Sequence, residues 1–388
     1  MRVGIDATGW ANRRGYGRFA RNVVRRLVDG ERDPSTTYVL YVDEASAEGA
    51  ELPAAAEIRR VRQRRSPAEA ASADSSRSLR DLLRMTLAVR KDDLSVFLFP
   101  SLQTYFPVMR VPTLVGVHDA IPSELPQLSM PTARNRVLWR AKERFALRRA
   151  RMIFTVSESA RRAVSDHLGV SYDRLAVVPE APDPAFRPRG DAEVAQARAG
   201  VGLGPDEPFL LYAGGISPHK NVETLVEAVG LLEQPLRPRL VLVGDLETEV
   251  YVSSAASVRA AIARLQLERD VLLPGFVSDE TLAALYSGAA AVVNPSLAEG
   301  FGLPAVEAAA CGAPLVLSDL PAHHETLGDG AAYFTPRDAN GLAAQLRRLL
   351  TDEVAARALA ARGRAAVATL SWDVAADRLR DLLAETAG

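Results

Sequence analysis

The sequence predicts an α/β protein with two doubly wound domains, each built on a parallel sheet. Short apolar segments alternate with segments of helical spacing along nearly the whole chain, which is typical of repeated βα units. The chain has 388 residues, about 2.6 times the length of an average domain. A stretch dense in proline and glycine, residues 182–208, separates two similar βα series. These observations predict two domains, and we expect a cleft between them.

The strands are predicted from short runs of β-branched and other apolar residues bounded by glycine, proline or polar residues. Such runs suit strands that are buried on both faces of a parallel sheet. Between them the apolar residues follow helical spacing, as Val222, Leu225 and Val229 do. The predicted strands are residues 2–6, 38–42, 96–99, 113–117, 152–156 and 175–178 in the first half, and 209–213, 240–243, 271–273, 291–293 and 314–317 in the second.

The domain limits follow from the same pattern. Residues 1–185 are assigned to the first domain, residues 205–370 to the second, and residues 186–204 to the linker between them. Residues 59–80 are rich in arginine, serine and alanine, and we expect them to form an irregular loop.

Composition excludes several classes of protein. The net charge of -1 gives no reason to expect nucleic acid binding. The single cysteine, Cys311, excludes a disulfide framework and a cysteine-based metal site. The first residues lack the apolar stretch of a secretory signal, and no run of about 18 apolar residues occurs. We therefore expect a cytoplasmic protein without a spanning helix.

The segment from Glu299 to Glu307, E-G-F-G-L-P-A-V-E, carries the most specific pattern. It follows an apolar strand and precedes a helix rich in alanine. Its glycines permit close approach of the backbone, and its proline suits the start of a helix. Amides there lie at the positive end of the helix dipole, which predicts a site for a phosphate or diphosphate. The amides concerned are those of Phe301, Gly302 and Leu303.

The two glutamates of this segment have separate expected roles. A carboxylate at Glu307 can accept hydrogen bonds from two vicinal hydroxyl groups, as ribose presents them. Glu299 lies in the loop and could meet a sugar. The alternative is that Glu307 only complements the positive N-terminus of its helix.

A second glycine-rich turn, residues 214–221, also lies between a strand and a helix. It contains Gly215 and Lys220, and Lys220 is one of only three lysines among 47 basic residues. A compact ammonium facing a diphosphate explains the lysine at this place. The alternative is a solvated charge at the start of a helix.

With these motifs the chain resembles the retaining glycosyltransferases of family 4, which have the GT-B fold. The Glu299–Glu307 pair resembles the E-x7-E motif of that family, and residues 214–220 resemble its phosphate-binding turn. The resemblance covers most of the chain and is strongest from about residue 208 to residue 335. It implies two Rossmann-like domains facing each other across a cleft, with a C-terminal helix at about 371–388 that crosses back to the first domain.

The resemblance also implies a nucleotide-diphosphate sugar as donor, held mainly by the second domain. By this analogy Glu307 binds ribose, Lys220 and the amides near Leu303 bind the diphosphate, and Glu299 lies beside the sugar. Many relatives have arginine where this chain has Gly215. His219 is then the other nearby side chain that could carry positive charge.

In the first half, Gly15 and Gly17 belong to a G-x-G-x-x-A sequence. Alone it would suggest an NAD(P)-dependent dehydrogenase, but about eight residues separate it from the first strand, whereas the dinucleotide fingerprint turns tightly. It resembles instead the N-terminal glycine loop of family 4, which faces the acceptor and the phosphates. His118 follows a strand, and the resemblance places a histidine there against the donor sugar.

The leading prediction is a retaining glycosyltransferase that moves a hexose-type sugar from a nucleotide-diphosphate sugar to an alcohol acceptor, which could be a glycan, a lipid-linked molecule or a small molecule. No Asp-x-Asp triplet occurs, so no metal cofactor is expected. The alternatives are a nucleotide-sugar epimerase on the same fold and a sugar-binding protein. A stripe of arginines from Arg136 to Arg148 could rest on the inner face of an anionic membrane, or it is a solvated helix face.

Overall fold

The computed structural model describes residues 1–12, 15–48, 50–63, 78–130, 132–244 and 253–388. The chain separates into two compact units. Unit 1 comprises Met1–Pro126, Met130–Glu180 and Ser371–Gly388, and unit 2 comprises Gln127–Ser129 and Ala181–Leu370. Each unit contains one parallel sheet.

The sheet of unit 1 has seven strands in the order β3-β2-β1-β4-β5-β6-β7, and all neighbours are parallel. Its central strands are buried along their whole length because helices cover both faces of such a sheet. The strands are β1 Arg2–Asp6, β2 Thr37–Asp43, β3 Glu57–Val61, β4 Val96–Phe99, β5 Thr113–Gly116, β6 Met152–Thr155 and β7 Leu175–Val177.

The helices of the first 180 residues connect these strands. The first of them buries Phe19, Val23 and Leu27 at helical spacing and exposes arginines on its opposite side. The helices are α1 Gly15–Asp29, α2 Glu44–Ala47, α3 Leu79–Val89, α4 Ile121–Glu124, α5 Pro126–Ser129, α6 Ala133–Arg149 and α7 Glu158–Leu168.

The sheet of unit 2 has six parallel strands in the order β10-β9-β8-β11-β12-β13. This order repeats that of the first six strands of unit 1, so both sheets are doubly wound in the same sense. The strands are β8 Phe209–Ala213, β9 Arg239–Val243, β10 Val271–Gly275, β11 Ala291–Asn294, β12 Leu315–Ser318 and β13 Ala332–Phe334. The predicted α/β fold with parallel sheets is confirmed.

The remaining helices belong to residues 181–388. The last of them lies in unit 1, where it packs against α1 and places Trp372 against Phe19 with 5.8 Å between the ring centroids. The helices are α8 Asp191–Gly200, α9 Val222–Gly230, α10 Ala255–Arg264, α11 Asp279–Gly288, α12 Leu303–Ala310, α13 Pro321–Leu327, α14 Ala339–Thr351, α15 Glu353–Val367 and α16 Trp372–Ala387.

Two edge strands, β3 and β13, have no counterpart among the predicted strands. Strand β3 has the sequence E-I-R-R-V. A strand at a sheet edge can carry charge, so it lacks the continuous apolar run by which the other strands were predicted. It occupies the start of the segment 59–80 that was expected to be irregular, and α3 occupies the end. Residues 64–77 of that segment lie outside the described residues.

The segment predicted as a linker, 186–204, contains helix α8. Glu193 accepts a hydrogen bond from the amide of Gly190 at 3.1 Å and so caps the helix start. Val194 packs closely against Gly288 of α11, so the helix is part of unit 2. The prolines and glycines here mark the ends of a helix, which is the reason that the segment resembles a linker in sequence.

None of the helices in the described ranges combines the length and the hydropathy needed to cross a bilayer.

Candidate functional site

The two motifs of the second half meet at the point where the strand order of unit 2 reverses. Strands β8 and β11 are neighbours although they are far apart in sequence, with Leu210 opposite Ala291. In doubly wound sheets ligands bind at the carboxyl ends of the strands on either side of this point. Residues 214–221 follow β8 and residues 295–302 follow β11. The topology therefore brings both predicted loops to the ligand-binding edge.

The loop after β8 is held against the loop after β11 by two hydrogen bonds. Asn221, whose φ is 53°, donates from Nδ2 to the carbonyl of Pro295 at 3.0 Å. The amide of Leu297 donates to the carbonyl of His219 at 2.7 Å. Gly215 is exposed in this loop, and no atom of the described residues outside its chain neighbours lies within 4 Å of where its Cβ would be. The two loops thus form one structural unit.

Lys220 and Glu299 form an ion pair at the centre of this arrangement. Lys220 ends a short 3-10 helix, Pro218–Lys220, and its Nζ lies 2.7 Å from Oε1 of Glu299. The same carboxylate oxygen accepts hydrogen bonds from Ser296 Oγ at 2.7 Å and from Asn294 Nδ2 at 3.3 Å. The side chains of Lys220 and Glu299 are 19% and 8% exposed, so the pair is largely shielded from water.

The charge state of Glu299 follows from these contacts. Burial alone would raise the pKa of its carboxyl group, but the attraction of Lys220, the proximity of His323 and the hydrogen bonds lower the pKa to about 2. Glu299 is therefore an anion at neutral pH. Ser296 and Asn294 were not singled out in the sequence, because their role depends on the turn that brings them to the carboxylate.

The second glutamate motif begins helix α12. Gly302 precedes the helix with φ of +87°, a conformation that favours glycine. The amides of Ala305 and Val306 already bond to the carbonyl of Gly302, whereas the earlier amides of a helix have no partner within it. The amides of Gly302 and Leu303 thus lie at the positive end of the helix dipole, a place suited to an anion. Phe301, just before them, has a buried side chain.

Glu307 is the fifth residue of α12 and is 4% exposed. Its charge acts on Cys311 one turn further along: burial first, and then the Glu307 carboxylate, raise the pKa of the Cys311 thiol to about 12. The thiol is therefore protonated at neutral pH. A residue that only complements the N-terminus of a helix is expected in its first turn. Glu307 lies beyond the first turn of α12.

His219 does not supply a second positive charge beside Gly215, where this chain has no arginine. Burial, followed by repulsion from the neighbouring Lys220, lowers the pKa of His219 to about 4. The ring is neutral at pH 7, and its Nδ1 lies 3.2 Å from Ser217 Oγ. This expectation from the sequence was wrong because a cation and burial both oppose protonation of the imidazole.

In unit 1 the glycine sequence lies at the start of α1. A Cβ at Gly17 would lie 2.0 Å from the carbonyl oxygen of Asn12. Only glycine therefore fits at this position while the preceding loop lies so close to the helix. Gly15 is exposed at the first position of the helix. Residues 7–14 separate β1 from α1, of which 13 and 14 lie outside the described residues. The tight turn of a dinucleotide fingerprint is therefore absent from the described part of this loop.

His118 lies two residues after β5, at the carboxyl edge of the sheet. Its Nε2 is 2.8 Å from the carbonyl oxygen of Pro100. A carbonyl only accepts, so Nε2 carries the proton and Nδ1 presents a lone pair. Burial lowers the pKa of His118 to about 4, and the ring is neutral at pH 7. Phe19 of α1 packs edge-on against it, with 4.7 Å between the ring centroids.

Glu180 was not identified from the sequence as a possible partner of His118. Its Oε1 lies 3.9 Å from Nδ1 of His118, and its side chain is 6% exposed. It follows β7, so no spacing in the sequence connects it with a histidine more than sixty residues earlier. Only the order of the strands brings these two groups to one edge of the sheet.

Among the described residues, no group of three or more histidine, cysteine, aspartate or glutamate side chains could hold a metal ion. The Lys220 ammonium and the start of α12 provide positive charge in the unit 2 site.

Comparison with known proteins gives a consistent family assignment. The family model "Glycosyl transferases group 1" matches residues 194–366, and "Glycosyltransferase Family 4" matches residues 13–186. The chain is 34% identical over 226 residues to the serotype-specific mannosyltransferase WbdA of Escherichia coli. That match covers 58% of this chain and only 27% of the relative.

Solved structures share the fold over almost the whole chain. The sucrose-phosphate synthase of Thermosynechococcus elongatus aligns with a TM-score of 0.77 and 20% identity, covering 99% of this chain and 98% of that one. HepE of Anabaena, solved in complex with UDP and glucose, aligns with a TM-score of 0.75 and 18% identity, covering 99% and 100%.

Proposed function

This chain belongs to the family 4 glycosyltransferases with the GT-B fold, and we propose that it transfers a sugar from a nucleotide-diphosphate sugar to a hydroxyl acceptor with retention of the anomeric configuration. The observation that carries this proposal is the Lys220–Glu299 pair, which joins the loop after β8 to the loop before α12 at the reversal point of the unit 2 sheet. A cation, helix amides and a carboxylate at one sheet edge suit a molecule with a diphosphate and a sugar.

In this proposal the charged groups stabilise the leaving group. Negative charge grows on the diphosphate as the bond to the sugar breaks, and the Lys220 ammonium and the amides of Gly302 and Leu303 oppose that charge. Glu307 binds the two ribose hydroxyl groups, and Glu299 binds a hydroxyl of the sugar while it holds Lys220 in place. The departing phosphate takes the proton of the attacking hydroxyl group on the same face of the sugar, which retains the configuration.

His118 is our candidate for a catalytic group from unit 1. Its neutral ring and the lone pair on Nδ1 allow it to accept a hydrogen bond from a sugar hydroxyl group. The exposed Gly15 and the restricted Gly17 shape the loop that we assign to the acceptor and the phosphates.

We further propose mannose as the sugar, since the relative WbdA is described as a mannosyltransferase. The HepE complex with UDP and glucose supports a uridine nucleotide as the competing possibility. The acceptor class stays open among glycans, lipid-linked molecules and small alcohols.

The test is incubation of the protein with GDP-mannose, UDP-glucose and ADP-glucose, with and without mannose and glycerol as acceptors, followed by measurement of released nucleotide. A glycosyltransferase releases nucleoside diphosphate from one donor, and an acceptor speeds the release. An epimerase would convert the donor without release, a dehydrogenase would need NAD(P), and a binding protein would convert nothing.

Replacement of Glu307 by alanine should weaken binding of the nucleoside diphosphate about 5- to 150-fold, because a buried charge-assisted hydrogen bond is lost. Calorimetric titration with GDP and UDP measures this. The control is Glu280→Ala, which removes an exposed glutamate from the first turn of α11. Equal affinity in Glu307→Ala and the wild type would show that Glu307 does not bind ribose.

Activity should persist in excess EDTA, since Lys220 and helix amides neutralise the diphosphate in this proposal. The assay is nucleotide release before and after chelation. Loss of all activity that Mn²⁺ or Mg²⁺ restores would contradict the prediction that no metal cofactor takes part.

We also propose that α6 contacts an anionic membrane surface at the inner face of the membrane, as expected for a cytoplasmic protein. Arg140, Arg144 and Arg148 are exposed on it, and Val137 and Phe145 are 65% and 46% exposed. Glu143 is buried and accepts a hydrogen bond from Trp139, so it does not neutralise the exposed arginines.

The double variant Arg140→Glu/Arg144→Glu should reduce binding to phosphatidylglycerol vesicles about 10-fold or more, since each arginine near an anionic surface contributes about 1 kcal/mol. Cosedimentation measures it, and phosphatidylcholine vesicles should bind neither protein. Arg357→Glu, at an exposed position of α15, is the matched control. If the double variant sediments like the wild type, α6 is a solvated face.

A further inference from the structure

His323 is a buried histidine to which the proposed mechanism gives no role. It lies in α13, which begins at the carboxyl end of β12, the edge of the sheet where ligands bind. Its relative exposure is 0%. The adjacent His324 is exposed and lies 2.6 Å from Asp319, so the two neighbouring histidines have different environments.

The hydrogen bond of His323 to the backbone determines which ring nitrogen carries the proton. Its Nδ1 lies 2.8 Å from the carbonyl oxygen of Ser318. Because a carbonyl oxygen only accepts, Nδ1 donates and the neutral ring presents a lone pair at Nε2. Burial lowers the pKa of His323, although the charge of Glu299 and the bond to Ser318 oppose this effect. The ring is therefore neutral at pH 7.

The Nε2 atom is buried and has no hydrogen-bond partner among the residues that the structure describes. Leaving a buried acceptor without a partner costs free energy, and most such atoms in proteins are paired. A partner that arrives with a ligand would remove that cost in the bound state.

The lone pair of Nε2 faces the turn that precedes α12. A Cβ built on Gly302 would lie 3.3 Å from Nε2 and 3.0 Å from Cδ2 of His323. Apart from the chain neighbours of Gly302, no other heavy atom of the described residues lies within 4 Å of that point. The space beside this turn is therefore bounded by the His323 ring. Glu299 is three residues before Gly302, and its charge acts on His323.

An acceptor at this place discriminates between the parts of a nucleotide sugar. The oxygens of a diphosphate are acceptors as well, so they cannot pair with the Nε2 lone pair, whereas a hydroxyl group can donate to it. The ribose is assigned to Glu307, and the sugar is assigned to Glu299 on the side of Gly302. The hydroxyl group that best fits Nε2 therefore belongs to the sugar.

We propose that His323 is a specificity-determining residue of the donor site and that its Nε2 accepts a hydrogen bond from a hydroxyl group of the transferred sugar. This inference rests on the proposed function. The bond forms when donor binding shifts the turn at Gly302 enough for the hydroxyl to reach Nε2. It adds to the affinity for the sugar part of the donor and leaves the affinity for the nucleoside diphosphate unchanged.

Two variants separate this role from a structural role of the bond to Ser318. In His323→Asn the side-chain amide can replace the Nδ1 donor, but no acceptor remains at the Nε2 position. In His323→Gln the longer side chain can place an oxygen near the Nε2 position, while the donor to Ser318 is lost. His324→Asn, at the exposed neighbouring position, is the control.

The experiment is calorimetric titration of the wild type and these variants with GDP, GDP-mannose, UDP and UDP-glucose, with thermal melting as a check of folding. We expect His323→Asn to weaken binding of the sugar nucleotide that the wild type prefers about 3- to 10-fold, with the matching nucleoside diphosphate unaffected. His323→Gln should keep most of the sugar affinity. Equal weakening of nucleotide and sugar nucleotide in both variants, or a loss in His323→Gln alone, would overturn the inference.

Deoxy analogues of the preferred sugar nucleotide identify the hydroxyl group and do not depend on folding of the variants. One deoxy position should weaken binding to the wild type by the same factor as His323→Asn, and it should cause no further loss in that variant. If no deoxy position weakens binding to the wild type, the inference is wrong. If the wild type binds none of the four molecules, and neither ADP nor ADP-glucose, the proposed function fails first, and this inference fails with it.

Discussion

Replacement of Lys220 by alanine should lower kcat about 100- to 1,000-fold, while KM for the donor changes much less. This is the size of effect expected when one preorganised group that stabilises transition-state charge is removed. The Lys220 ammonium lies 2.7 Å from Glu299, which is in the loop that leads into α12, and the diphosphate is proposed to bind at the start of that helix. An interaction that strengthens as charge develops acts on kcat, whereas uniform binding acts on KM.

The ion pair between Lys220 and Glu299 adds a second effect to this substitution. Lys220→Ala removes a cation but also leaves the buried Glu299 carboxylate without its partner, so its pKa should rise from about 2. The double variant Lys220→Ala/Glu299→Gln removes this second effect. If kcat of the double variant lies well below that of Glu299→Gln alone, the further loss belongs to the missing cation.

Two further controls test the chemistry of the ammonium. Lys220→Arg should recover only part of the activity, because a planar guanidinium directs its donors differently. Lys91→Ala changes an exposed lysine and should leave kcat unchanged. Burial is the largest cause of the lowered pKa of His219 and is unchanged in Lys220→Ala, so that ring should stay neutral and should not substitute for Lys220. The loss should therefore be the same from about pH 6 to pH 9. Full activity of Lys220→Ala would show that the residue is only a charged helix end.

Replacement of Glu299 by glutamine should lower kcat about 100- to 1,000-fold and leave binding of the nucleoside diphosphate equal or tighter. Glutamine keeps an oxygen for Ser296 and Asn294, which hydrogen-bond to the present carboxylate. It removes a negative charge beside an anion site and releases Lys220 to interact with the diphosphate. Affinity and turnover should thus change in opposite directions.

The measurement combines steady-state kinetics with titration of GDP and UDP. Glu353→Gln, which changes an exposed glutamate of α15, should alter neither quantity. Weaker nucleotide binding together with unchanged kcat in Glu299→Gln would reverse the roles that we assign to Glu299 and Glu307. Thermal melting should show that Glu299→Gln remains folded, because the hydrogen bonds of the turn are retained.

Most of the sheet architecture could be predicted from local patterns. Strands buried on both faces must be apolar along their length, and this makes runs such as 209–213 and 291–293 visible in the sequence. The edge strand β3 was not predicted from the sequence because its exposed positions carry charge. Helix α8 lies in the segment predicted as a linker, because the prolines and glycines that end a helix are also typical of linkers.

The residues of the donor site could also be selected in advance wherever their chemistry is local. Gly302 adopts a left-handed backbone conformation. Lys220 is one of three lysines among 47 basic residues. Glu299 and Glu307 lie in one loop and the helix that follows it. Each of these signals lies within a few neighbouring residues. For that reason the sequence is enough to find them.

The tertiary structure decided which of these groups act on one another. The reversal of strand order between β8 and β11 brings Lys220 to Glu299, and the position of β12 brings His323 beneath Gly302. Burial lowers the pKa of His118 and of His219, so both rings are neutral at pH 7. These properties depend on distance and on exclusion of water, and neither is a function of sequence spacing.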